Sequence, residues 1–194
     1  MRREKIAARQ ALSAATHALL SQQVDAHLQA LLQRYTFAML GFCWPMRGEF
    51  DCRPLVRQQL ARGACACLPC VVDSGAALQF RLWQAGSAML PDRYGIPYPT
   101  AGAIVIPDFL LLPVNAFDSQ GYRLGYGGGY FDRTLAALQP CPLAVGVGFE
   151  LARVASTLPG EHDIALDAVV TEAGVSYCSA RMNGTRPTTT GPAP

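Results

Sequence analysis

The sequence predicts a three-layer α/β sandwich, with a mainly parallel central sheet flanked by helices. Short apolar segments alternate with helical patterns along the chain, and this order of elements is typical of a parallel sheet. One segment, Phe109–Pro113, is a short continuous apolar run, as expected for a strand that is buried on both faces. The chain has 194 residues, of which 51% are hydrophobic and 15% charged. It is therefore long enough for one such domain with a substantial core.

The first half of the chain predicts three helices. The first covers residues 4–20, the second begins at Ser21, and the third covers residues 53–61. Ser21 can cap its helix with a side-chain oxygen, and Asp51 can do the same for the third helix. The second helix carries apolar residues on one face, namely Val24, Leu28, Leu31 and Leu32. Strands are predicted at residues 36–42, 64–68 and 78–83.

The second half of the chain predicts a loop-rich segment and then further α/β elements. Residues 86–103 are rich in residues that favour turns, among them Pro91, Gly95, Pro97, Pro99 and Gly102. Beyond the apolar strand we expect a strand at 143–149, a short helix at 150–156 and a last strand at 167–171. Residues 1–180 are predicted to form a single domain. The Thr/Pro-rich residues 181–194 are predicted to be a mobile, non-catalytic tail.

Composition and charge argue against export, membrane insertion and nucleic-acid binding. The amino terminus is charged and leads into a helical pattern, with no apolar signal core. The apolar runs are too short to cross a bilayer. A net charge of +2, without a basic stripe, gives no reason to expect nucleic acid as a partner. We therefore predict a cytoplasmic protein, a monomer or homodimer, whose partners are small molecules.

Seven cysteines are present, and three of them cluster as Cys65, Cys67 and Cys70. The cluster suggests a metal site, but no second ligand pair with suitable spacing accompanies it. We interpret these residues as buried thiols that act as small hydrophobic side chains in a reducing compartment.

The strongest functional signal is a loop with four glycines in five positions, Gly125, Gly127, Gly128 and Gly129. Without Cβ atoms its backbone N–H groups can wrap an anion, and the helix predicted to follow adds its own N-terminal N–H groups and dipole. Arg123 and Arg133 flank the loop, and Asp132 is a possible metal ligand. The loop matches neither the Walker motif nor the dinucleotide fingerprint. A bare glycine cluster would be a surface turn, but the flanking charges and the preceding strand favour a phosphate site.

Lys5 is the only lysine among 16 basic residues. A lysine is a compact point charge that can approach phosphate oxygens in a tight pocket, whereas arginine is a bulky planar fork. Arg9 lies four residues further on, hence on the same helix face. From spacing alone, a solvated first helix without a function remains equally possible.

Residues 112–135 resemble the signature of the 5-formyltetrahydrofolate cyclo-ligase (methenyltetrahydrofolate synthetase) family. The resemblance extends from about Lys5 to Glu172. The matching positions are Pro113, Phe117, Asp118, Gly121, Arg123, Leu124, Gly125, Gly127, Gly128, Gly129, Tyr130, Asp132 and Arg133. Two positions depart from the family pattern: some relatives have lysine at Gly128, and relatives usually have glutamate where this chain has Tyr98.

The resemblance implies ATP-dependent conversion of 5-formyltetrahydrofolate to 5,10-methenyltetrahydrofolate, with Mg²⁺ and with release of ADP and phosphate. The implied catalytic residues are Arg123 and Asp132. The residues implied to bind ATP are Lys5, Arg9, Arg123, Gly125, Gly127, Gly128, Gly129, Tyr130 and Phe131. Those implied to bind the folate are Trp44, Glu49, Tyr126 and Tyr130. Asp132 and Asp163 would bind magnesium, because hard oxygen ligands suit that ion.

Two alternatives to this activity stay open at the level of sequence. One is a catalytically silent relative that still holds folate or nucleotide, which Tyr98 and Gly128 would support. The other is a sugar-phosphate isomerase or a CoA-transferase-like enzyme on a similar α/β fold. Such an enzyme would not require ATP but would need a catalytic acid pair, which we do not locate in the sequence.

Overall fold

The computed structural model describes residues 1–183. Its helices are α1 (Arg2–Gln10), α2 (Ala14–Leu32), α3 (Arg53–Ala61), α4 (Tyr130–Ala137) and α5 (Ala180–Asn183), with a 3-10 turn at Glu150–Ala152. Its strands are β1 (Met39–Gly41), β2 (Cys65–Cys70), β3 (Gln79–Trp83), β4 (Met89–Pro91), β5 (Pro97–Pro99), β6 (Ile104–Val105), β7 (Phe109–Pro113), β8 (Ala116–Phe117), β9 (Arg123–Leu124), β10 (Leu143–Val147), β11 (Ala168–Thr171) and β12 (Gly174–Tyr177).

Eight strands form the central sheet, in the order β12-β11-β10-β7-β1-β2-β3-β6. The strands β2, β1, β7, β10 and β11 run parallel to one another. The strands β3 and β12 pair antiparallel at the two ends of this parallel block. The predicted α/β fold with a mainly parallel sheet is therefore confirmed. The carboxyl ends of the five parallel strands meet at one edge, where open sheets of this kind bind ligands.

Helices cover both faces of the sheet, and β7 contributes to the core on each side. Phe109 and Leu111 pack in the core on the face that is covered by α2 and α3. Leu110 and Leu112 pack on the opposite face, together with Leu135 of α4. Because successive strand residues point to opposite faces, a strand covered on both sides must be apolar at every position. This explains the continuous apolar run in the sequence.

The predicted boundary between the first two helices is wrong. α1 ends at Gln10, and α2 begins at Ala14 with Ser13 as its N-cap. The Ser13 hydroxyl accepts a hydrogen bond from the Thr16 backbone N–H at 3.1 Å, which satisfies one of the first free donors of the helix. Ser21, the predicted cap, therefore lies inside α2. The predicted apolar face of this helix is confirmed, since its four residues are buried.

Several elements in the second half also differ from the prediction. The short helix expected at 150–156 is a single turn at Glu150–Ala152. The segment 86–103 contains the antiparallel pair β4–β5. β11 is followed by a further antiparallel strand, β12. The predicted tail begins too early, because residues 181–183 belong to α5 and Met182 is fully buried. The remaining predicted tail, residues 184–194, lies outside the described residues.

The prediction of buried cysteines is correct only in part. All seven cysteines are free thiols, and Cys67 and Cys70 are buried in β2. Cys65, which starts the same strand, is exposed, as is Cys141. Burial raises the pKa of Cys67 to about 12, so that this thiol is neutral and packs as a hydrophobic group. Cys65 lies at the end of its strand, where no layer covers it.

Among residues 1–183, no helix combines the length and the apolar character that crossing a membrane would need.

Gly121→Ala is expected to lower the free energy of unfolding by about 2–4 kcal/mol. Gly121 has a φ of +88°, and a Cβ there would lie 2.8 Å from both the Leu166 carbonyl oxygen and the Cys178 Cβ. Chemical denaturation measures the loss. Gly174→Ala is the matched control, because its φ is +125° but a Cβ there would meet no atom within 4 Å. An equal loss in both variants would contradict the steric explanation.

Candidate active site

A small pocket lies at the carboxyl ends of β1, β7 and β10. Its lining residues come from these strands and from the loop that follows β1, namely Cys43, Pro45, Glu49, Phe50, Cys52, Leu111, Leu112, Pro113 and Val147. The wall is apolar except for the Glu49 carboxylate and the thiols of Cys43 and Cys52. Burial raises the pKa of both thiols, so that they are neutral at pH 7. Glu49 is therefore the one charged group in the lining.

A tight turn at Met46–Glu49 holds Glu49 in this pocket. The Glu49 backbone N–H donates to the Met46 carbonyl at 2.9 Å, and the central residues Arg47 and Gly48 have φ values of +47° and +73°. Positive φ at both central positions defines a type I′ turn, which is unusual with arginine in it. The Met46 N–H donates to Glu49 Oε2 at 2.9 Å. A third hydrogen bond, from Arg9 Nε to the Arg47 carbonyl at 3.0 Å, also fixes the turn.

Glu49, Tyr126 and Arg9 form a cluster beside the pocket. The Tyr126 hydroxyl donates to Glu49 Oε1 at 2.5 Å, and Arg9 Nη2 donates to the Tyr126 oxygen at 3.3 Å. Arg9 Nη2 also lies 3.7 Å from Glu49 Oε1, and the two charged side chains are only 5% and 6% exposed. Burial raises the pKa of Glu49, while the hydrogen bonds from Tyr126 and the Met46 N–H and the charge of Arg9 oppose that rise.

The resemblance assigned Arg9 to the ATP phosphates, and the structure places it against residues of the folate set. Besides its contacts with Tyr126 and Glu49, Arg9 Nη1 donates to Asn115 Oδ1 at 3.0 Å. Asn115 is buried, and it follows Val114, the first residue after strand β7. Sequence reasoning missed Asn115 because it lies in a loop full of turn residues. A polar side chain just beyond the carboxyl end of a buried strand was the available signal.

The glycine loop connects β9 to α4. Gly129 is the N-cap of α4 and has a φ of +62°, a left-handed conformation that suits glycine. Gly127 and Gly128 are exposed, so that an anion can approach them from solvent. Arginines lie close to the loop: Arg133 Nη2 donates to the Gly128 carbonyl at 2.7 Å, and the Arg2 guanidinium lies beside Gly127. The combination is an accessible helix N-terminus in a positively charged surrounding.

Arg123 and Asp132 form an ion pair beside the loop. Arg123 Nη1 lies 3.1 Å from Asp132 Oδ1 and donates to the Ile164 carbonyl at 2.9 Å. The Ile164 N–H donates to Asp132 Oδ1 at 3.2 Å. Ile164 thus brings the segment containing Asp163 next to Asp132. Asp163 is exposed, and its Oδ2 accepts the Gly160 N–H at 2.7 Å.

Asp132 and Asp163 are the two predicted metal ligands. Within the described part of the chain, residues 1–183, no group of three or more histidine, cysteine, aspartate or glutamate side chains is arranged to hold a metal ion. Two carboxylates are fewer than such a group, and Mg²⁺ commonly takes only one or two carboxylates and completes its shell with water and phosphate oxygens. His162, between them in sequence, is exposed.

Lys5 and Trp44, two other residues of the predicted site, have their contacts outside the glycine loop. Lys5 Nζ donates to the carbonyls of Leu151 at 2.7 Å and Arg153 at 3.2 Å. The Arg53 guanidinium stacks on the Trp44 ring, with 4.5 Å between its carbon and the ring centroid. Trp44 is not among the residues that line the pocket.

Two aromatic residues follow the loop at the start of α4. The hydroxyl of Tyr130 lies 2.9 Å from that of Tyr94, which lies in the turn between β4 and β5. Phe131 packs on the core that lies under α4. Tyr94 was not predicted, because nothing in a loop-rich segment indicates which part of the fold it contacts.

The comparisons with known proteins point to a single family. Residues 1–172 match the profile of the 5-formyltetrahydrofolate cyclo-ligase family. The 5-formyltetrahydrofolate cyclo-ligase of Escherichia coli K12 is 36% identical over 135 residues, which are 66% of this chain and 74% of that protein. The one from Haemophilus influenzae is 28% identical over 148 residues, which are 73% of this chain and 79% of that protein.

Solved structures show the same likeness. The NMR structure of Aquifex aeolicus 5,10-methenyltetrahydrofolate synthetase superposes with a TM-score of 0.77 at 29% identity, covering 91% of this chain and 90% of that one. The Mycoplasma pneumoniae 5,10-methenyltetrahydrofolate synthetase has a TM-score of 0.72 at 21% identity, covering 88% and 96%. At that lower identity the second likeness shows the fold alone.

The fold and the site together define an α/β protein with an exposed glycine loop beside an acidic pocket at the carboxyl edge of its sheet. The profile match and the sequence identities show which one: the chain belongs to the 5-formyltetrahydrofolate cyclo-ligase family, as its glycine-loop signature predicted. By this membership it is an enzyme of the ligase class.

Proposed function

We propose that the protein catalyses the ATP-dependent cyclisation of 5-formyltetrahydrofolate to 5,10-methenyltetrahydrofolate, with release of ADP and phosphate. The observation that carries this proposal is the direct contact between the two halves of the site. Tyr126 belongs to the glycine loop, and its hydroxyl donates to Glu49 of the pocket at 2.5 Å. A phosphate bound by the loop would therefore lie next to a ring bound in the pocket, as phosphoryl transfer between them requires.

The chemistry needs activation of the formyl group, because a formamide oxygen is a poor leaving group. The formyl oxygen attacks the γ-phosphorus of ATP, and ADP leaves. The neighbouring folate nitrogen then attacks the formyl carbon and loses its proton to water, the five-membered ring closes, and the oxygen departs with the phosphate. Catalysis of this kind requires positioning and charge neutralisation rather than a nucleophilic side chain.

The groups around the glycine loop would bind the nucleotide. Backbone N–H groups of residues 125–129 would hold phosphate oxygens, and Lys5 and Arg123 would neutralise their charge. Tyr130 and Phe131, which begin α4, would form an aromatic wall for the nucleotide. Arg123 is 8% exposed and keeps its guanidinium beside Asp132, so its charge is already oriented before ATP arrives.

Asp132 and Asp163 would hold Mg²⁺ at the edge of the loop, where the ion would neutralise the charge of the phosphates. Asp132 keeps its carboxylate in place through Arg123 and the Ile164 N–H. Asp163 has its Oδ2 held by one backbone N–H, which leaves its other oxygen open to solvent.

The pocket would hold the pterin ring of the folate. The Glu49 carboxylate can accept hydrogen bonds from the ring amino group and an adjacent ring N–H, which gives planar recognition. Trp44, Tyr126 and Tyr130 would complete the folate site. Burial raises the pKa of Glu49 above the ordinary carboxyl value of 4.5. Only the ionised form of Glu49 accepts both hydrogen bonds. As the pH decreases, folate affinity should therefore begin to fall at a higher pH than it would with a glutamate of ordinary pKa.

The setting that fits this activity is a cytoplasmic protein, a monomer or homodimer, whose partners are reduced folate and ATP. The test is the formation of 5,10-methenyltetrahydrofolate, followed by its absorbance with and without ATP. We expect product only when ATP and Mg²⁺ are both present. Binding of folate and nucleotide without turnover would instead identify a catalytically silent relative.

Lys5→Ala is expected to raise the KM for ATP about tenfold or more, because it removes a charged hydrogen-bond donor from the phosphates. Steady-state kinetics at varied ATP measure the change. Arg3→Ala is the matched control, since Arg3 lies on the same helix α1 and is exposed. If the KM for ATP and the turnover of Lys5→Ala equalled those of the unaltered protein, Lys5 would have no role in phosphate binding.

A further inference from the structure

We propose that Tyr126 is a positioning residue that couples nucleotide binding at the glycine loop to folate binding at Glu49. Its hydroxyl occupies the carboxylate oxygen that the folate ring needs, and nucleotide binding withdraws it. The inference rests on the proposed function, because it assigns ATP to the loop and folate to the pocket.

Both carboxylate oxygens of Glu49 already accept hydrogen bonds from donors of the protein. The Tyr126 hydroxyl donates to Oε1 at 2.5 Å, and the Met46 N–H donates to Oε2 at 2.9 Å. Arg9 Nη2 lies 3.3 Å from the Tyr126 oxygen and 3.7 Å from Oε1. The hydroxyl thus lies between the guanidinium and the carboxylate. A ring that brings two N–H donors to Glu49 has to compete with Tyr126 for Oε1.

The two donors to Glu49, the Met46 N–H and the Tyr126 hydroxyl, differ in how firmly the structure holds them. The Met46 N–H belongs to the type I′ turn, which Arg9 fixes through the Arg47 carbonyl. Tyr126 instead lies between Gly125 and Gly127, and its side chain is 44% exposed. The Arg47 guanidinium lies 5.4 Å from the centroid of the Tyr126 ring. Glycines on both sides allow the backbone at Tyr126 to change conformation at low cost.

The proposed nucleotide site and the contact with Glu49 share one short segment, residues 125–129. An anion held by the N–H groups of residues 125–129 fixes the backbone of the loop, and the Tyr126 hydroxyl on Glu49 fixes the same backbone from the other side. The two constraints act on one short segment, so that binding at one site changes the free energy of binding at the other. In the coupling that we propose, bound nucleotide draws the loop backbone away from Glu49, which withdraws the hydroxyl, frees Oε1 and raises the affinity for folate. By thermodynamic reciprocity, folate raises the affinity for nucleotide equally.

The charged groups around Glu49 predict how the hydrogen bond from Tyr126 affects the pH dependence of folate affinity. Arg9 from α1, Arg47 from the turn and the Tyr126 hydroxyl all lower the pKa of Glu49, against the raising effect of burial. The nearby thiols of Cys43 and Cys52 are neutral at pH 7. Tyr126→Phe removes one lowering contribution and leaves both arginines. The acid limb of folate affinity should therefore move to higher pH in Tyr126→Phe.

The experiment is calorimetry of 5-formyltetrahydrofolate binding, with and without a non-hydrolysable ATP analogue and Mg²⁺. In the unaltered protein the analogue should lower the Kd for folate by about fivefold or more, the usual scale of coupling between sites. In Tyr126→Phe the Kd without analogue should already be close to the lower value, and the analogue should change it less than about twofold. Tyr122→Phe is the matched control, because Tyr122 precedes the loop and no hydrogen bond of its hydroxyl is found within residues 1–183. It should keep the full coupling.

The outcomes separate this inference from the proposed function. If the unaltered protein binds both ligands without coupling, or if Tyr126→Phe keeps the same coupling and the same acid limb, Tyr126 does not link the sites and the inference is wrong. A uniform loss of folate affinity in Tyr126→Phe, equal with and without analogue, would also overturn it. If the unaltered protein binds neither ligand, the proposed function itself fails.

Discussion

Asp132→Asn is expected to lower turnover about 100-fold or more while the protein stays folded. The substitution removes a negative charge that would hold Mg²⁺ and that orients the Arg123 guanidinium at 3.1 Å. The asparagine oxygen can still accept the Ile164 N–H, which Asp132 accepts at 3.2 Å, so that the local backbone keeps its partner. The measurement is the rate of methenyltetrahydrofolate formation at saturating substrates, with circular dichroism to verify the fold.

A matched control for this variant is Glu161→Gln, in the loop that also carries Asp163. Glu161 is exposed, and its substitution also removes one negative charge near the site. The variant therefore separates a general electrostatic effect from the specific role of Asp132. Its turnover should stay within about twofold of the unaltered protein, because exposed charges contribute little. A fully active Asp132→Asn would remove the case for a metal ligand at this position.

Glu49→Gln is expected to raise the KM for 5-formyltetrahydrofolate about 100-fold. The carboxamide has only one accepting oxygen, and its NH₂ group would face the N–H donors of the pterin ring. The pH dependence should change in the same variant. The raised pKa of Glu49 places an acid limb in the folate affinity of the unaltered protein, and Glu49→Gln has no titrating group to produce that limb.

Stability has to be measured alongside this variant, because Glu49→Gln leaves the buried Arg9 guanidinium without its nearby carboxylate. The melting temperature should fall, and the KM is therefore measured well below it. Asp51→Asn serves as the control, since Asp51 follows closely in sequence but pairs with Arg53 at 2.7 Å. A KM for folate that is unchanged in Glu49→Gln would show that the pterin ring binds elsewhere.

The parts of the fold that the sequence predicted are those encoded locally. The strand β7 was predictable because burial on both faces leaves no polar position in it. The apolar face of α2 was predictable from its helical spacing. The start of that helix was not predictable. Ser13 and Ser21 are both good N-caps, and the residues between them could belong to the end of the first helix or to the beginning of the second. The structure decides for Ser13, whose hydroxyl accepts the Thr16 N–H.

The parts of the site that escaped prediction depend on contacts between distant segments. Arg9 donates to Asn115, 106 residues away, and to Tyr126, 117 residues away. No local pattern encodes such a contact, and only the order of the strands brings the three residues together. Met182 is a similar case: polar residues surround it in the sequence, but in the fold it is fully buried in the main core.

A crystal structure of the protein with a non-hydrolysable ATP analogue and Mg²⁺ would show where the nucleotide binds. We expect its phosphate oxygens within hydrogen-bond distance of the N–H groups of residues 125–129, next to the Asp132 carboxylate and the Glu49 pocket. Nucleotide bound at another place, with these N–H groups facing only water, would contradict this expectation.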